Sequence, residues 1–230
     1  MDLYEKSWAL YKAHTEHFLE DVESYADFCG SRRSLELFAG YGRVANPLTA
    51  AGVDLETVEL SPSFARFIDL PRSKNHVCGV LDFRPRRKFE RVFAAYNSFC
   101  LLSGPGDAER FFGLLRDWLT DDGVASLNYY SARHWKDAAG GDFLFEGRRV
   151  RYEPKWDLSR REDSVGRWID EYRLDGATVS HDYAVRLYED RDALSGLLAQ
   201  AGLRLKAVEE PEPGWLDFLI TIAGIEESRG

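Results

Sequence analysis

Apolar positions along the chain fall into two patterns, short continuous runs and longer stretches with helical spacing. Helical spacing covers residues 3–28, 61–70 and 105–119, and Gly30 follows the first stretch as a helix-ending glycine would. The short apolar runs are typical of buried strands and lie at residues 35–39, 53–60, 77–81, 91–95 and 124–130. Strands that alternate with helices in this way predict an α/β fold around a mostly parallel sheet.

Polar and aromatic residues stand where these predicted strands end. The second strand ends at Glu59, the third at Asp82-Phe83 and the fourth at Tyr96-Asn97. Asn128 and Tyr129 lie at the end of the fifth strand, after a turn predicted at Asp121-Asp122-Gly123. Open α/β sheets bind ligands at the carboxyl ends of their strands, so these side chains predict a binding site at that edge.

The first strand runs into a glycine turn, Phe38-Ala39-Gly40-Tyr41-Gly42, and a helix is predicted from Arg43 to Ala51. Gly40 and Gly42 tolerate positive φ and let the backbone approach a ligand closely. The helix start behind them offers free N–H groups. Glu59 follows at the spacing at which an acid reaches the two ribose hydroxyls of a nucleoside bound at such a turn. The pattern therefore indicates a nucleoside-type cofactor.

Residues 131–188 have a different pattern. Glu146-Gly147 and Asp175-Gly176 are strong turn signals between apolar runs, and from Val179 to Tyr188 apolar and polar residues alternate. This predicts a small antiparallel sheet laid over the domain. A helix is expected at Asp190–Ala201, ended by Gly202. Two further strands, at 203–208 and 218–223, have no helix between them and must pair antiparallel or lie apart.

Composition limits the possible functions. The chain has 230 residues, which suits one well-buried domain, and a formal net charge of −9, which argues against nucleic acid as a partner. Its three cysteines are widely spaced, as expected for reduced thiols in a cytoplasmic protein. The start of the chain lacks the pattern of a secretory signal, and no apolar run could span a bilayer. We expect a monomer or homodimer with no membrane partner.

The N-terminal segment, residues 1–30, has two interpretations. It is either a helix packed on the sheet or a lid whose first part, Tyr4 to Tyr11, folds over the ligand and excludes water. His14 and His17 resemble half of a metal site, but without a third ligand we interpret them as a solvated helix face and expect no metal.

Several motifs together resemble one family. The runs LELFAGYGRV, VELSP, VLDF, AAYNSF and LTDDGV are similar to those of the class I S-adenosylmethionine-dependent methyltransferases, in particular the small-molecule branch. The resemblance is good over residues 30–130 and looser in the C-terminal third. Phe38 stands where the family usually has glycine, and Asp122 replaces a common glycine before the fifth strand.

The resemblance implies a Rossmann-like seven-stranded sheet, mostly parallel with the last strand antiparallel, flanked by helices and carrying the small antiparallel sheet over the active site. It implies a single domain, residues 1–230, with 131–188 as an inserted cap. It also implies that S-adenosylmethionine is the cofactor and that the acceptor is a small molecule. Glu36 would bind the methionine ammonium, Glu59 the ribose and Asp82 the adenine amino group.

The implied cofactor-binding residues are Tyr11, Glu36, Ala39, Gly40, Gly42, Glu59, Leu60, Ser61, Asp82, Phe83, Tyr96 and Asn97. Leu60 and Phe83 would lie beside the adenine ring, and Tyr96, Asn97 and Tyr129 would lie at the reacting end. A carboxylate on the acceptor could be bound by four further residues, Arg133, His134, Arg186 and Tyr188.

Four functions remain open from the sequence. The first is methyl transfer to nitrogen or oxygen of a small molecule. The second is ring closure, in which the amino group of S-adenosylmethionine attacks its own chain and methylthioadenosine leaves. The third is a nicotinamide-dependent oxidoreductase, since Gly40-x-Gly42-x-x-Ala45 fits the loose dinucleotide pattern. The fourth is a binding protein without turnover.

Overall fold

The computed structural model describes residues 3–130, 139–157, 164–188, 191–212 and 215–223. The helices in these ranges are α1 (Leu3–Thr15), α2 (Val22–Cys29), α3 (Ala45–Ala50), α4 (Pro62–Ala65), α5 (Asp107–Trp118) and α6 (Arg191–Gln200). The strands are β1 (Ser34–Leu37), β2 (Leu55–Glu59), β3 (Asn75–Val77), β4 (Phe89–Ala94), β5 (Leu119–Tyr130), β6 (Gly141–Phe145), β7 (Arg148–Asp157), β8 (Val165–Leu174), β9 (Ala177–Arg186), β10 (Leu203–Glu212) and β11 (Trp215–Ile222). None of the helices described is long and apolar enough to cross a bilayer.

The main sheet has seven strands in the order β10-β11-β5-β4-β1-β2-β3. Strands β1 to β5 pair parallel wherever they are neighbours, and β11 runs antiparallel to both β5 and β10. All four residues of the central strand β1 are buried, as expected for a parallel strand covered on both faces. The predicted seven-stranded sheet with a reversed last strand is confirmed.

Alternate residues of β4 divide the core between the two faces of this sheet. Val92 and Ala94 pack with the apolar stripe of α5, and Phe93 and Ala95 pack with residues of α2 and α3. On α5 that stripe comprises Ala108, Phe111, Phe112, Leu115 and Trp118, all buried. Helices on both faces leave the carboxyl ends of the strands as the edge open to a ligand.

The second sheet contains β6-β7-β8-β9, all antiparallel. Its predicted turns are confirmed: Glu146, Gly147, Asp175 and Gly176 all have the positive φ that two-residue hairpin turns require. The buried face of this sheet packs against Leu10 of α1 at one end. At the other end Trp168 and Val185 join the core of the main sheet. We call this second sheet the roof.

Two helical predictions were wrong. Residues 3–28 form two helices, α1 and α2, rather than one. Residues 61–70 contain only the single turn α4. The helix does not continue because the Asn46 side chain forms hydrogen bonds with the backbone groups of the residues that follow α4. Its Nδ2 donates to the carbonyl of Phe67 at 2.9 Å, and its Oδ1 accepts from the N–H of Asp69 at 2.8 Å.

Two strand boundaries also differ from the prediction. The third strand occupies Asn75–Val77 rather than 77–81, and Val80–Asp82 forms a turn of 3₁₀ helix instead. The fifth strand begins at Leu119, before the predicted turn at Asp121-Asp122-Gly123. Leu119 pairs with Phe89, whereas Val124 pairs with Arg91, so the additional residues bulge out of the ladder without ending the strand.

Candidate active site

The turn after β1 is locked to the turn after β2 by one carboxylate. Oε2 of Glu59 accepts from the N–H of Gly40 at 2.7 Å, and Oε1 accepts from the N–H of Ser61 at 2.7 Å. Gly40 and Gly42 both have positive φ, and a Cβ on Gly42 would lie 2.7 Å from Oδ1 of Asn46. Glycine is therefore required at Gly42, and Glu59 fixes the shape of the site from its position at the end of β2.

An apolar surface with one acid lies beside this lock. Leu60 is 72% exposed although it follows a buried strand. A Cβ on Gly79 would meet Oδ2 of Asp82 at 3.3 Å and Cδ1 of Leu60 at 3.9 Å, so these residues converge. Asp82 is exposed and forms an ion pair with Arg110 at 3.3 Å. An apolar side chain beside a carboxylate suits a flat heterocycle with an amino group.

Phe83 has a different position from the one implied by the resemblance. Its side chain is buried at 3% exposure, with its ring 5.5 Å from Trp118 and 4.9 Å from His76. Phe83 is therefore part of the core beneath the surface formed by Leu60 and Asp82, and its ring offers almost no area to a ligand.

Glu36 is a buried acid below the glycine turn. It is 3% exposed, and burial raises its pKa to about 8 while the Arg43 guanidinium opposes that rise. Its Oε2 accepts no hydrogen bond from the described residues. Ala39 is also buried, and its N–H donates to the carbonyl of Val58 at 3.1 Å. Glu36 thus holds an acceptor that a cationic group at the turn could satisfy.

The linker between α1 and α2 is bound to the same turn. Arg43 donates two hydrogen bonds to the Asp21 carboxylate, at 2.6 and 2.7 Å, and another to the carbonyl of Phe18. The hydroxyls of Thr15 and Tyr41 lie 2.8 Å apart. The sequence indicated Arg43 only as the start of a helix. Its contacts explain the break between α1 and α2, because they anchor the intervening residues.

Helix α1 extends from this anchor across the carboxyl edge of the main sheet. The ring of Tyr11 lies 6.4 Å from that of Tyr41 and 5.9 Å from that of Phe64. The ring of Trp8 lies 3.8 Å from that of Phe64 and 5.3 Å from that of His181 in the roof. Tyr11 and its neighbours therefore connect the edge of the main sheet to the roof.

The segment after β4 is strained. Tyr96 and Asn97 both have positive φ, which is unusual for two consecutive residues other than glycine. The N–H of Asn97 donates to Oδ1 of Asn128 at 2.8 Å, and Nδ2 of Asn128 donates to the Tyr25 hydroxyl at 3.2 Å. Oδ1 of Asn97 is buried and accepts no hydrogen bond from the described residues. These hydrogen bonds stabilise the positive-φ conformation of Tyr96 and Asn97 at the edge of the sheet.

Tyr129, the third residue assigned to the reacting end, lies in β5 with its backbone paired to Leu216 of β11. Its role stays a prediction. Arg133 and His134 lie outside the described residues.

Arg186 and Tyr188, suggested as ligands for an acceptor carboxylate, make contacts within the fold. Arg186 donates to the carbonyls of Leu102, Ser103 and Gly104 at 3.3, 3.1 and 3.1 Å. Tyr188 is 5% exposed and stacks on Phe99. Both residues hold the end of β9 to the loop that follows β4.

The sequence analysis missed an acid under the roof. Asp170 is 3% exposed, and its Oδ1 accepts from the Tyr152 hydroxyl at 2.9 Å and from Nε1 of Trp168 at 2.8 Å. Burial raises its pKa, and the hydrogen bonds from Trp168 and Tyr152, the nearby His181 and the Tyr183 side chain oppose that rise. A signal was present, because Asp170 interrupts the buried alternation Trp168, Tyr172, Leu174 on β8. An acid on the apolar face of a strand needs a reason for its burial.

His14 belongs to the same region, and the prediction that it is solvated was wrong. Its ring lies 4.0 Å from that of Tyr152 and 5.4 Å from that of Phe143. Burial lowers its pKa to about 4, so the ring is neutral at pH 7. His17, in contrast, has a side chain that is 79% exposed. The described residues contain no cluster of three His, Cys, Asp or Glu side chains that could hold a metal ion.

Comparison with solved structures identifies the fold. DesVI of Streptomyces venezuelae is 19% identical and aligns with a TM-score of 0.78 over 97% of this chain and 99% of that one. S-adenosylmethionine-bound CalS10, an amino pentose methyltransferase of Micromonospora echinaspora, is 18% identical, with a TM-score of 0.75 over 97% and 98%. The sugar N-methyltransferase KedS8 of Streptoalloteichus sp. is 20% identical, with a TM-score of 0.72 over 93% and 91%. The chain has the class I methyltransferase fold. No protein-family model and no curated protein sequence matches it.

Within this methyltransferase fold the turn after β1 has one unusual residue. Phe38 stands where the resemblance leads us to expect glycine, and it adopts a φ of 56°. The backbone therefore keeps the left-handed conformation that glycine would take easily, at a cost of about 1–2 kcal/mol for a residue with a Cβ. The Phe38 side chain is partly buried against the main core, which offsets that cost.

Proposed function

We propose that the protein transfers the methyl group of S-adenosylmethionine to a nitrogen or oxygen of a small-molecule acceptor. The observation that carries the proposal is the Glu59 lock, which joins the turns after β1 and β2 through the N–H groups of Gly40 and Ser61. It places an acid, a glycine turn and the exposed Leu60 together at the carboxyl edge of a methyltransferase fold. CalS10 and KedS8, which share this fold, are named as methyltransferases.

The residues present fit each part of the cofactor. Glu59 has lone pairs left to accept from the ribose hydroxyls, and Leu60 with Asp82 offers adenine an apolar face and an acceptor for its amino group. Gly40 and Gly42 give the methionine part access to the backbone. The free Oε2 of Glu36 would accept from the methionine ammonium. Tyr96 and Asn97 follow at the reacting end.

The bound cofactor supplies a methyl group on a positively charged sulfur, which is already a good leaving group. The protein therefore has to position the acceptor and exclude water, and positioning of this kind can lower a barrier by about 7–11 kcal/mol. The roof and α1 are suited to both tasks, because α1 contacts β6 and β9 of the roof and packs Tyr11 near Tyr41 of the glycine turn. We accordingly propose residues 1–30 as a lid and residues 131–188 as an acceptor cap of a single domain, 1–230.

The alternatives draw less support. CalS10 and KedS8 are methyltransferases, and the buried Glu36 before the glycines gives the ammonium of S-adenosylmethionine a partner that a nicotinamide dinucleotide does not need. No contact among the described residues favours ring closure over transfer to an external acceptor.

The test is mass spectrometry of the protein incubated with S-adenosylmethionine, first alone and then with a panel of small amines and alcohols. We expect the cofactor to remain intact without acceptor and S-adenosylhomocysteine to form with a suitable one. Methylthioadenosine above a protein-free control would support ring closure. Calorimetry that detects NADH or NADPH binding but no S-adenosylmethionine binding would refute the proposal.

A further inference from the structure

We propose that Asp170 binds the ammonium group of the acceptor, so that the acceptor of this protein is a small primary or secondary amine held under the roof. This inference rests on the proposed methyl transfer and specifies its substrate class. It assigns a function to a buried acid for which the packing of the roof gives no other reason.

The first argument is the unequal use of the two Asp170 oxygens. Oδ1 accepts from Tyr152 at 2.9 Å and from Trp168 at 2.8 Å, whereas Oδ2 is buried and accepts no hydrogen bond of comparable geometry from the described residues, although the Tyr183 side chain lies close enough to lower the pKa of the carboxyl group. Leaving a buried carboxylate oxygen without a well-formed hydrogen bond destabilises the folded protein. A site that retains this cost is suited to a ligand that brings the missing donor, and an ammonium brings up to three.

The second argument is the chemistry of the surroundings. The side chains nearest to Asp170 on the buried face of the roof are aromatic, namely Tyr152, Trp168, Tyr172 and Tyr183. Aromatic faces attract cations because the ring carries negative charge density on its face. A carboxylate among aromatic rings therefore favours a cation over a neutral or anionic group. His181 pairs with Asp170 across β8 and β9, but its ring packs on Tyr183 and Trp8.

The third argument connects Asp170 to the reacting end. The pKa of the Tyr11 hydroxyl is raised well above its usual range by burial and by its proximity to Tyr96 and Asp170. The pKa of Tyr183 is raised by burial, with Asp170, Tyr11 and Tyr96 among its neighbours. Ring contacts connect the same regions: Trp8 lies 5.3 Å from His181 in the roof, and Trp8 and Tyr11 lie 3.8 and 5.9 Å from Phe64. These contacts join the roof to the edge of the main sheet, where the Arg43 guanidinium lies 5.4 Å from the Tyr96 ring, next to the proposed methyl donor.

Binding as a cation is compatible with transfer of a methyl group. The ammonium gives one proton to Oδ2, which leaves a neutral amine and a neutral carboxyl group. The nitrogen lone pair then forms the bond to the methyl carbon, and the carbon–sulfur electron pair returns to sulfur. The product is a methylated ammonium, so charge is conserved, and the Asp170 proton leaves to solvent afterwards.

The experiment compares two probes of the same ring size, cyclohexylammonium chloride and cyclohexanol, by calorimetry on the full chain saturated with S-adenosylhomocysteine. We expect the wild-type protein to bind the ammonium at least tenfold more tightly than the alcohol. The Asp170→Asn variant should lose this preference. The matched control is Asp182→Asn, because Asp182 is exposed on β9 and forms an ion pair with Arg167.

Three outcomes overturn the inference: equal binding of both probes by the wild type, a preference that survives in Asp170→Asn, and an equal loss in Asp182→Asn. The wild-type comparison needs no variant, so it remains decisive if Asp170→Asn does not fold. Binding of S-adenosylhomocysteine without a preference for the ammonium refutes only this inference. Failure of S-adenosylhomocysteine itself to bind refutes the proposed function.

Discussion

Two regions of the molecule bury a carboxylate for different purposes. At the edge of the main sheet, Glu59 binds backbone N–H groups with both oxygens, across 19 residues of chain in one case and two in the other. Under the roof, one oxygen of Asp170 accepts from Tyr152 and Trp168, and the other accepts no hydrogen bond of comparable geometry from the described residues, although Tyr183 lies nearby. Glu59 shapes a backbone turn, whereas Asp170 keeps one carboxylate oxygen available to accept a hydrogen bond from a ligand.

This difference separates the two tasks of a transferase. Backbone turns held by a nearby acid depend little on other side chains, which suits a cofactor site shared by proteins of low identity. A pocket made from side chains on antiparallel strands changes whenever one residue changes, which suits an acceptor site. The two regions should therefore respond to mutation independently.

The largest expected effect concerns Glu36, the second buried acid of the main-sheet region. Its folded pKa is about 8 against an ordinary 4.5, so between these values the folded protein keeps a proton that the unfolded chain has lost. The free energy of unfolding should fall as pH rises through this window, by at most about 1.4 kcal/mol per pH unit and about 5 kcal/mol in total. Glu36→Gln should remove this decrease, as measured by urea unfolding of the cofactor-free protein at several pH values.

The control for this experiment is Glu20→Gln, since Glu20 is exposed and the substitution should leave the pH dependence unchanged. If wild type and Glu36→Gln lose stability equally with rising pH, Glu36 is not held protonated. Glu36 would then no longer count as a buried acid whose protonation depends on its position at the edge of the main sheet.

The second prediction tests whether the two regions are separable. Glu59→Gln replaces one acceptor oxygen by an NH₂ group that faces a backbone N–H of the lock. The loss of a charged acceptor should weaken S-adenosylmethionine binding by about 2 kcal/mol, or about 30-fold in Kd. Asp170→Asn should change that Kd by less than about twofold, because Asp170 contacts the other region. Titration calorimetry of both variants measures the Kd for S-adenosylmethionine. If both variants lose affinity equally, the two regions do not respond to mutation independently.

The smallest effect concerns the backbone of the main-sheet region. Phe38→Ala and Phe38→Gly both remove the side chain that packs on the core. The difference between their free energies of unfolding therefore reports the backbone conformation at this position. Because φ is 56° at this position, the glycine variant should be more stable than the alanine variant by about 1 kcal/mol, the reverse of the usual order. Chemical denaturation measures this difference. A more stable alanine variant would show that the turn is relaxed.

The main-sheet region was largely predictable from sequence, because its determinants are local. The acid or aromatic residue at the end of each strand indicates by itself that the strand end faces a ligand. Glu59 follows the glycine turn after a short connection, so both parts of the site lie close together in the sequence. The wrong predictions occurred where a distant side chain competed with local propensity. Asn46 ends the helix predicted at 61–70, and Arg43 divides the helix predicted at 3–28.

The sequence by itself determined the order of most strands and helices, because hydrophobic periodicity and turn residues act over short distances. The resemblance to class I methyltransferases added the seven-stranded sheet, and the edge at which a ligand binds stays a prediction. Only the tertiary structure brought Tyr11, Tyr96 and Asp170 together, since each comes from a different element. It also decided which oxygen of Asp170 accepts from Tyr152 and Trp168. Alternation along β8 shows that Asp170 faces inward, but only the packing of α1 and the roof over the edge shows what lies opposite it.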